Sequence, residues 1–142
     1  MVAGHGTKAS RARGRFHLAS VASSLPEGTY RLEGLDADLQ STEALGWLLS
    51  SYAFSRYREQ SGAKAQLVAP PAVDAQRLEA IAAGEFLTRD LINTPTFDMG
   101  PADLEDAAAD LAQTHGAQID EIQGEALLDK YFPMIHTVGR AA

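Results

Sequence analysis

Two prolines six residues apart, Pro95 and Pro101, divide this chain more firmly than any other feature in it. Proline lacks a backbone N–H, and its ring biases the preceding residue away from the helical region. A helix arriving from upstream must therefore end by Asn93, ahead of Thr94-Pro95. Pro101 acts in the opposite sense. At the first position of a helix the missing N–H costs nothing, and Asp103, Glu105 and Asp106 place negative charge near the positive end of the helix dipole. The spacing predicts one helix ending at Asn93, a corner over residues 96–99, and a second helix beginning at Pro101. Gly100 ahead of it is a weaker cap than serine or threonine. That second helix closes at His115-Gly116, with glycine just past its end and a histidine near its negative pole.

Upstream, His17 to Leu25 reads as a short helix stopped by the turn cluster Pro26-Glu27-Gly28, and Thr29 to Glu33 alternates as a short strand ended by Gly34. From Ser41, a plausible cap, Leu45, Leu48, Leu49 and Tyr52 recur at helical spacing, and the helix is expected to run to about Gln60 with Gly62 beyond it. Ala65 to Ala69 suits a buried strand between Gly62 and Pro70-Pro71. Asp74 then caps a long helix with Leu78, Ala82, Phe86 and Arg89 along one side. Gly84, in mid-helix, costs about 1 kcal/mol relative to alanine, which predicts close packing there. Beyond Gly116, Ala117 to Ile122 reads as a strand and Glu125 to Tyr131 as a short helix. Alternating strands and helices define an α/β chain.

Charge is unevenly placed. The first 26 residues hold Lys8, Arg11, Arg13 and Arg15 and no acid, leaving eight basic against nineteen acidic residues in the rest, a net of −11. Such an acidic body argues against binding a phosphate backbone, so no nucleic-acid partner is expected. The absence of cysteine excludes disulfides, thiolate metal sites and cysteine nucleophiles. Apolar runs of only a few residues exclude a membrane-spanning helix. Residues 1–14 are left unassigned, with glycines at 4, 6 and 14 favouring an irregular, disordered start; the acid-free, Arg/Ser-containing opening also has the make-up of a transit peptide.

Little in the chain carries chemistry on its own. His5, His17, His115 and His136 are far apart and lack metal-ligand spacing. Asp103, Asp106 and Asp110 share a helical face that reads either as a hard-cation site or as a solvated acidic face favoured by the dipole. Ser20, Ser23 and Ser24 lack the G-x-S-x-G setting of a nucleophile, and no phosphate-cradling glycine loop occurs. Arg89 and Asp90 read either as a pair across a domain junction or as surface ions. Asn93 reads as a buried amide that satisfies the orphan carbonyls of its helix end, or as a substrate contact.

Arg89-Asp90-Leu91-Ile92-Asn93-Thr94-Pro95 followed by Gly100-Pro101-Ala102-Asp103-Leu104 resembles the leucyl aminopeptidase (cytosol aminopeptidase) family, in which an R-D-L-x-N-x-P stretch precedes a proline-initiated helix at a domain junction. Gly46 through Tyr52, Phe54 and Tyr57 is similar to a helix of that family's N-terminal domain, and Phe132 to Ala141 to the opening of its catalytic domain. The match begins near Arg15 and departs from the family at Gly100, where a hydroxyl cap is common. The resemblance implies a partial N-terminal α/β domain and linker helix over 15–95, and the first α-β-α unit of a catalytic α/β domain over 96–142. It also implies peptide substrates, removal of N-terminal residues, two divalent metal ions (zinc or manganese), a homo-hexamer and a cytoplasmic location. The family motifs N-T-D-A-E-G-R and F-D-S-G-G, which bear metal ligands and catalytic groups, do not occur here. No catalytic or metal-binding residue is therefore expected in this chain. Arg89, Asp90, Asn93, Pro95, Gly100 and Pro101 are expected to be structural residues of the junction.

The expectation is accordingly a fragment of a metallopeptidase that is inactive alone and folds poorly, because strands taken from larger sheets leave open edges. The competing reading is a non-enzymatic α/β module that acts through protein assembly. The two separate on whether the reading frame continues past Ala142 into K-x-x-x-D and N-T-D-A-E-G-R-type sequence.

Overall fold

Asp74 and Pro101 each start a helix for the reason the sequence supplies. The Asp74 carboxylate accepts the Arg77 N–H at 3.0 Å, and α4 runs Ala75–Asn93. Pro101 is the first residue of α5, Pro101–His115. The computed structural model describes residues 2–140, so Ala141, the last residue of the family-like Phe132–Ala141 stretch, lies outside them. The chain divides into two compact units, Met1–Pro95 and Thr96–Ala142.

In the first unit, α1 (Lys8–Arg11), α2 (Ala19–Ser24), β1 (Gly28–Tyr30), α3 (Ala37–Leu49) and β2 (Ala65–Leu67) precede α4. The two strands pair in parallel, with Gly28, Thr29 and Tyr30 opposite Ala65, Gln66 and Leu67. A parallel pair needs a crossover, which α3 supplies. The core gathers around Ala22, Trp47 and Ala65, with Leu25, Tyr30, Leu32 and Leu67 packed against them. Trp47 is 4% exposed, and its indole N–H donates to the Ala65 carbonyl at 2.8 Å, fixing α3 to β2. Leu78 and Ala82 are the buried residues of α4, on the side the apolar spacing selects.

Several expectations are corrected. Helix α3 starts at Ala37 rather than behind Ser41, and ends at Leu49 rather than near Gln60. The serines that follow explain the early stop. Ser50 and Ser51 donate their hydroxyls to the Trp47 and Leu48 carbonyls at 2.6 and 2.7 Å, satisfying the last turn locally. The chain then doubles back so closely that a Cβ on Gly62 would collide with the Ser51 carbonyl. Gly84 is exposed, with nothing beyond its chain neighbours and its own helix backbone within 4 Å of where its Cβ would stand; the tight glycine is Gly46, whose Cβ would lie 2.6 Å from Phe16 Cβ. Residues 2–14, expected to be irregular, include α1, capped by the Thr7 hydroxyl, which accepts the Ser10 N–H.

In the second unit, α5 is followed by α6 (Ala126–Asp129) and α7 (Pro133–Gly139). The Asp103 carboxylate accepts the Gly100 N–H at 2.8 Å; the reciprocal half of a capping box needs a side chain, which glycine lacks. Gly116 turns left-handed at φ 62°, and the Ala117 N–H reaches the Ala112 carbonyl at 2.8 Å, closing the helix as expected. Residues 117–122 form no strand: an isolated segment has no neighbour to complete its backbone hydrogen bonds, and the described residues of this unit are helical or irregular. The expected α-β-α unit is thus three helices here. None of residues 96–140 is buried, while Phe97 is 92% and Met134 77% exposed.

Candidate functional site

The end of α4 is built around Tyr52, whose hydroxyl donates to Asp90 Oδ1 at 2.8 Å and accepts from Asn93 Nδ2 at 3.0 Å. The Phe86 ring lies 5.3 Å from the Tyr52 ring, and the Arg89 guanidinium sits 5.3 Å over the same ring. Arg89 also donates Nε to Glu85 Oε1 one turn back, at 3.0 Å. The i, i+3, i+4 and i+7 spacing of Phe86, Arg89, Asp90 and Asn93 puts all four on the side of α4 that meets Tyr52. Desolvation, and then donation to the Asp90 carboxylate, hold the Tyr52 phenol above its ordinary value.

This geometry gives Arg89 and Asp90 a shared partner and revises the reading of Asn93. Arg89 and Asp90 each engage Tyr52, within the first unit. Asn93 is exposed, and its amide serves the Tyr52 hydroxyl instead of the helix-end carbonyls. Thr94, 7% exposed, does that work: its N–H and hydroxyl both donate to the Asp90 carbonyl, at 3.0 and 2.7 Å. Pro95 follows directly and closes the unit. Gly100 and Pro101 set the start of α5 in the second unit, Gly100 accepting the Leu104 N–H on its carbonyl at 3.2 Å.

A second polar cluster was not legible in the sequence. Glu43, on α3, is 2% exposed; one carboxylate oxygen accepts the Leu18 N–H at 2.8 Å and the other accepts from His5 Nε2 at 3.2 Å. His5 in turn meets the His17 ring edge-on at 5.8 Å. A carboxylate placed at the first turn of α2 both satisfies an orphan donor and favours the helix dipole. The only hint in the sequence is a glutamate on the apolar side of an otherwise amphipathic stretch.

The remaining candidates do not converge. Among the described residues, no three His, Cys, Asp or Glu side chains stand together so as to hold a metal ion. Asp103 caps its own helix, and Asp106 and Asp110 are exposed. Glu105 faces Glu121 and receives the Gln123 side-chain amide; the hydrogen bond with Glu121, then desolvation and the nearby acids, raises the Glu105 carboxyl above its ordinary value. His136 Nε2 lies 3.4 Å from Glu125 Oε1, tying α7 to the start of α6. Ser20, Ser23 and Ser24 donate to backbone carbonyls of their own turn.

Residues 5–70 match the M17 aminopeptidase N-terminal domain family. The probable cytosol aminopeptidase of Aeropyrum pernix is 31% identical over 125 residues, which cover 84% of this chain and 25% of that protein. The crystal structure of cytosol aminopeptidase from Coxiella burnetii superposes with a TM-score of 0.71 at 31% identity, over 80% of this chain and 25% of that one. All three comparisons make the chain similar to the leucyl (cytosol) aminopeptidases. It spans about a quarter of the length of either relative. The family match starts at residue 5, upstream of Arg15, and so takes in His5 and α1. Gly46 lets α3 pass directly beneath Phe16.

Proposed function

We propose that this chain is the N-terminal part of a metal-dependent leucyl aminopeptidase, comprising an incomplete N-terminal α/β domain, its linker helix and the opening of the catalytic domain. What carries the proposal is its likeness to two cytosol aminopeptidases, each over a quarter of their length. The complete enzyme removes N-terminal amino acids from peptides, uses two zinc or manganese ions, assembles as a hexamer and works in the cytoplasm. When bound, the metals supply a polarised carbonyl and an activated water. The described residues do not fit such a pair, because they present no cluster of three ligating side chains. No step of peptide hydrolysis is assigned to them, and the expectation that residues 1–142 are inactive by themselves rests on the family motifs N-T-D-A-E-G-R and F-D-S-G-G not occurring in this sequence.

In this reading the Tyr52–Asp90–Asn93 network has a mechanical role. It locks the last turns of α4, so that Thr94-Pro95 leaves the first unit at a fixed place. The competing reading is a non-enzymatic module acting by protein assembly, and the exposed apolar residues of α7, Met134, Ile135 and Val138, favour it. The two are separated by expressing the segment in one polypeptide with the rest of its reading frame. Manganese- or zinc-dependent release of leucine from a peptide supports the enzyme. A stable oligomer of residues 1–142 with no activity in the longer polypeptide supports the module.

A further inference from the structure

A cavity of about 300 Å³ opens beside Trp47 within the first unit. Leu18, Leu25 and Trp47 supply its apolar wall, and His5, Arg31 and Glu33 stand among its lining residues. At the end of β1 and just past it, Tyr30 and Leu32 are half-buried against the core while Arg31 and Glu33 are exposed, and all four are among the residues that line the cavity. An apolar concavity with a few polar groups of fixed position is the usual make-up of a small-molecule site. Two of the lining residues are also fixed from behind. The buried Glu43 carboxylate holds the Leu18 backbone with one oxygen and the His5 ring with the other.

We propose that this cavity binds a free α-amino acid with an apolar side chain. Its carboxylate is met by Arg31, its ammonium by Glu33, and its side chain by the Trp47 and leucine wall. A lining with one cation and one anion answers both charges of a zwitterion, whereas a simple hydrophobic acid or amine leaves one lining charge unanswered. Free amino acids are the product class of an aminopeptidase, so the regulatory meaning of the site, product sensing away from the catalytic centre, rests on the function proposed above. The binding itself does not.

Trp47 is the only tryptophan, so its emission reports on the cavity in the intact chain. L-Leucine is expected to change that emission saturably at millimolar concentration or below, and equilibrium dialysis with labelled leucine should give the same constant. 4-Methylpentanoate, without the ammonium, and 3-methylbutylamine, without the carboxylate, should bind about tenfold more weakly, the loss expected for one charge-assisted hydrogen bond. Arg31→Ala and Glu33→Ala alter exposed positions, should leave the circular dichroism unchanged, and should weaken leucine binding by a similar factor. The proposal is overturned if dialysis detects no bound leucine at about 10 mM, if the three compounds bind alike, or if both variants bind as the parent does. No turnover is needed in this experiment, so its failure leaves the aminopeptidase reading standing.

Discussion

Gly46 and Gly84 both lie inside helices, and replacing each with alanine should shift stability in opposite directions. In a helix interior alanine is favoured over glycine by about 0.8–1 kcal/mol, mainly through the lost backbone freedom of glycine. At Gly84 nothing beyond its chain neighbours and its own helix backbone lies within 4 Å of the new methyl, so Gly84→Ala should gain that amount in full. At Gly46 the methyl would stand 2.6 Å from Phe16 Cβ, 2.9 Å from Cδ1 and 3.0 Å from Cα, so backbone as well as side chain must yield. Phe16 cannot yield freely, because it already holds a left-handed conformation at φ 60° and Leu18, two residues on, is bound to Glu43. Overpacking of this kind costs about 1–3 kcal/mol. The propensity gain is common to both sites, so the two variants should differ by roughly that overpacking cost, about 1–3 kcal/mol, with Gly46→Ala the less stable. Urea unfolding followed by helical circular dichroism measures the difference. Equal midpoints for the two variants would refute the packing of Phe16 on α3.

Glu43→Ala should destabilise the first unit by about 2–3 kcal/mol, because the Leu18 N–H is left buried without its charged acceptor. Glu43→Gln, which keeps an acceptor, should cost less, and a urea series on both variants checks the order. The raised Tyr52 phenol gives a pH signature in alkaline solution. Its folded value lies above the ordinary 10.0, so its contribution is complete below pH 10 and is lost as pH rises through the folded value. The parent should therefore lose stability more steeply above about pH 10 than Tyr52→Phe, as read from urea midpoints across that range. Glu105 obeys the same sign. Its carboxyl is raised above 4.5 chiefly by Glu121, so its favourable contribution is present in acid and is lost as pH rises through the folded value. Glu105→Gln should then raise the melting temperature at pH 7 and leave it unchanged near pH 4, by differential scanning calorimetry.

The elements legible in the sequence are those whose ends are set by local backbone chemistry. Asp74, Pro95, Pro101 and Gly116 each act within one turn of themselves, and α4 and α5 begin and end where those residues dictate. The misread elements depend on distant partners. Helix α3 stops eleven residues before the expected Gln60 because Ser50 and Ser51 satisfy its last carbonyls and the Gly62 segment folds back on Ser51. Residues 117–122 have strand-like composition but no strand beside them. The junction stretch was recognisable as a corner, yet the roles within it came out differently, because Tyr52 lies 41 residues from Asn93 and no spacing rule connects them. Glu43 was missed for the same reason: its partners Leu18 and His5 come from segments with no periodic relation to α3.

The central proposal is that this chain is part of a cytosol aminopeptidase and that residues 1–142 alone are inactive. The most direct measurement is turnover of leucine p-nitroanilide by purified residues 1–142, with manganese or zinc added, beside a longer polypeptide that continues through the catalytic domain. The account predicts no turnover by the former and metal-dependent turnover by the latter. Metal-dependent hydrolysis by residues 1–142 alone, or a longer polypeptide that is folded and inactive, would contradict it.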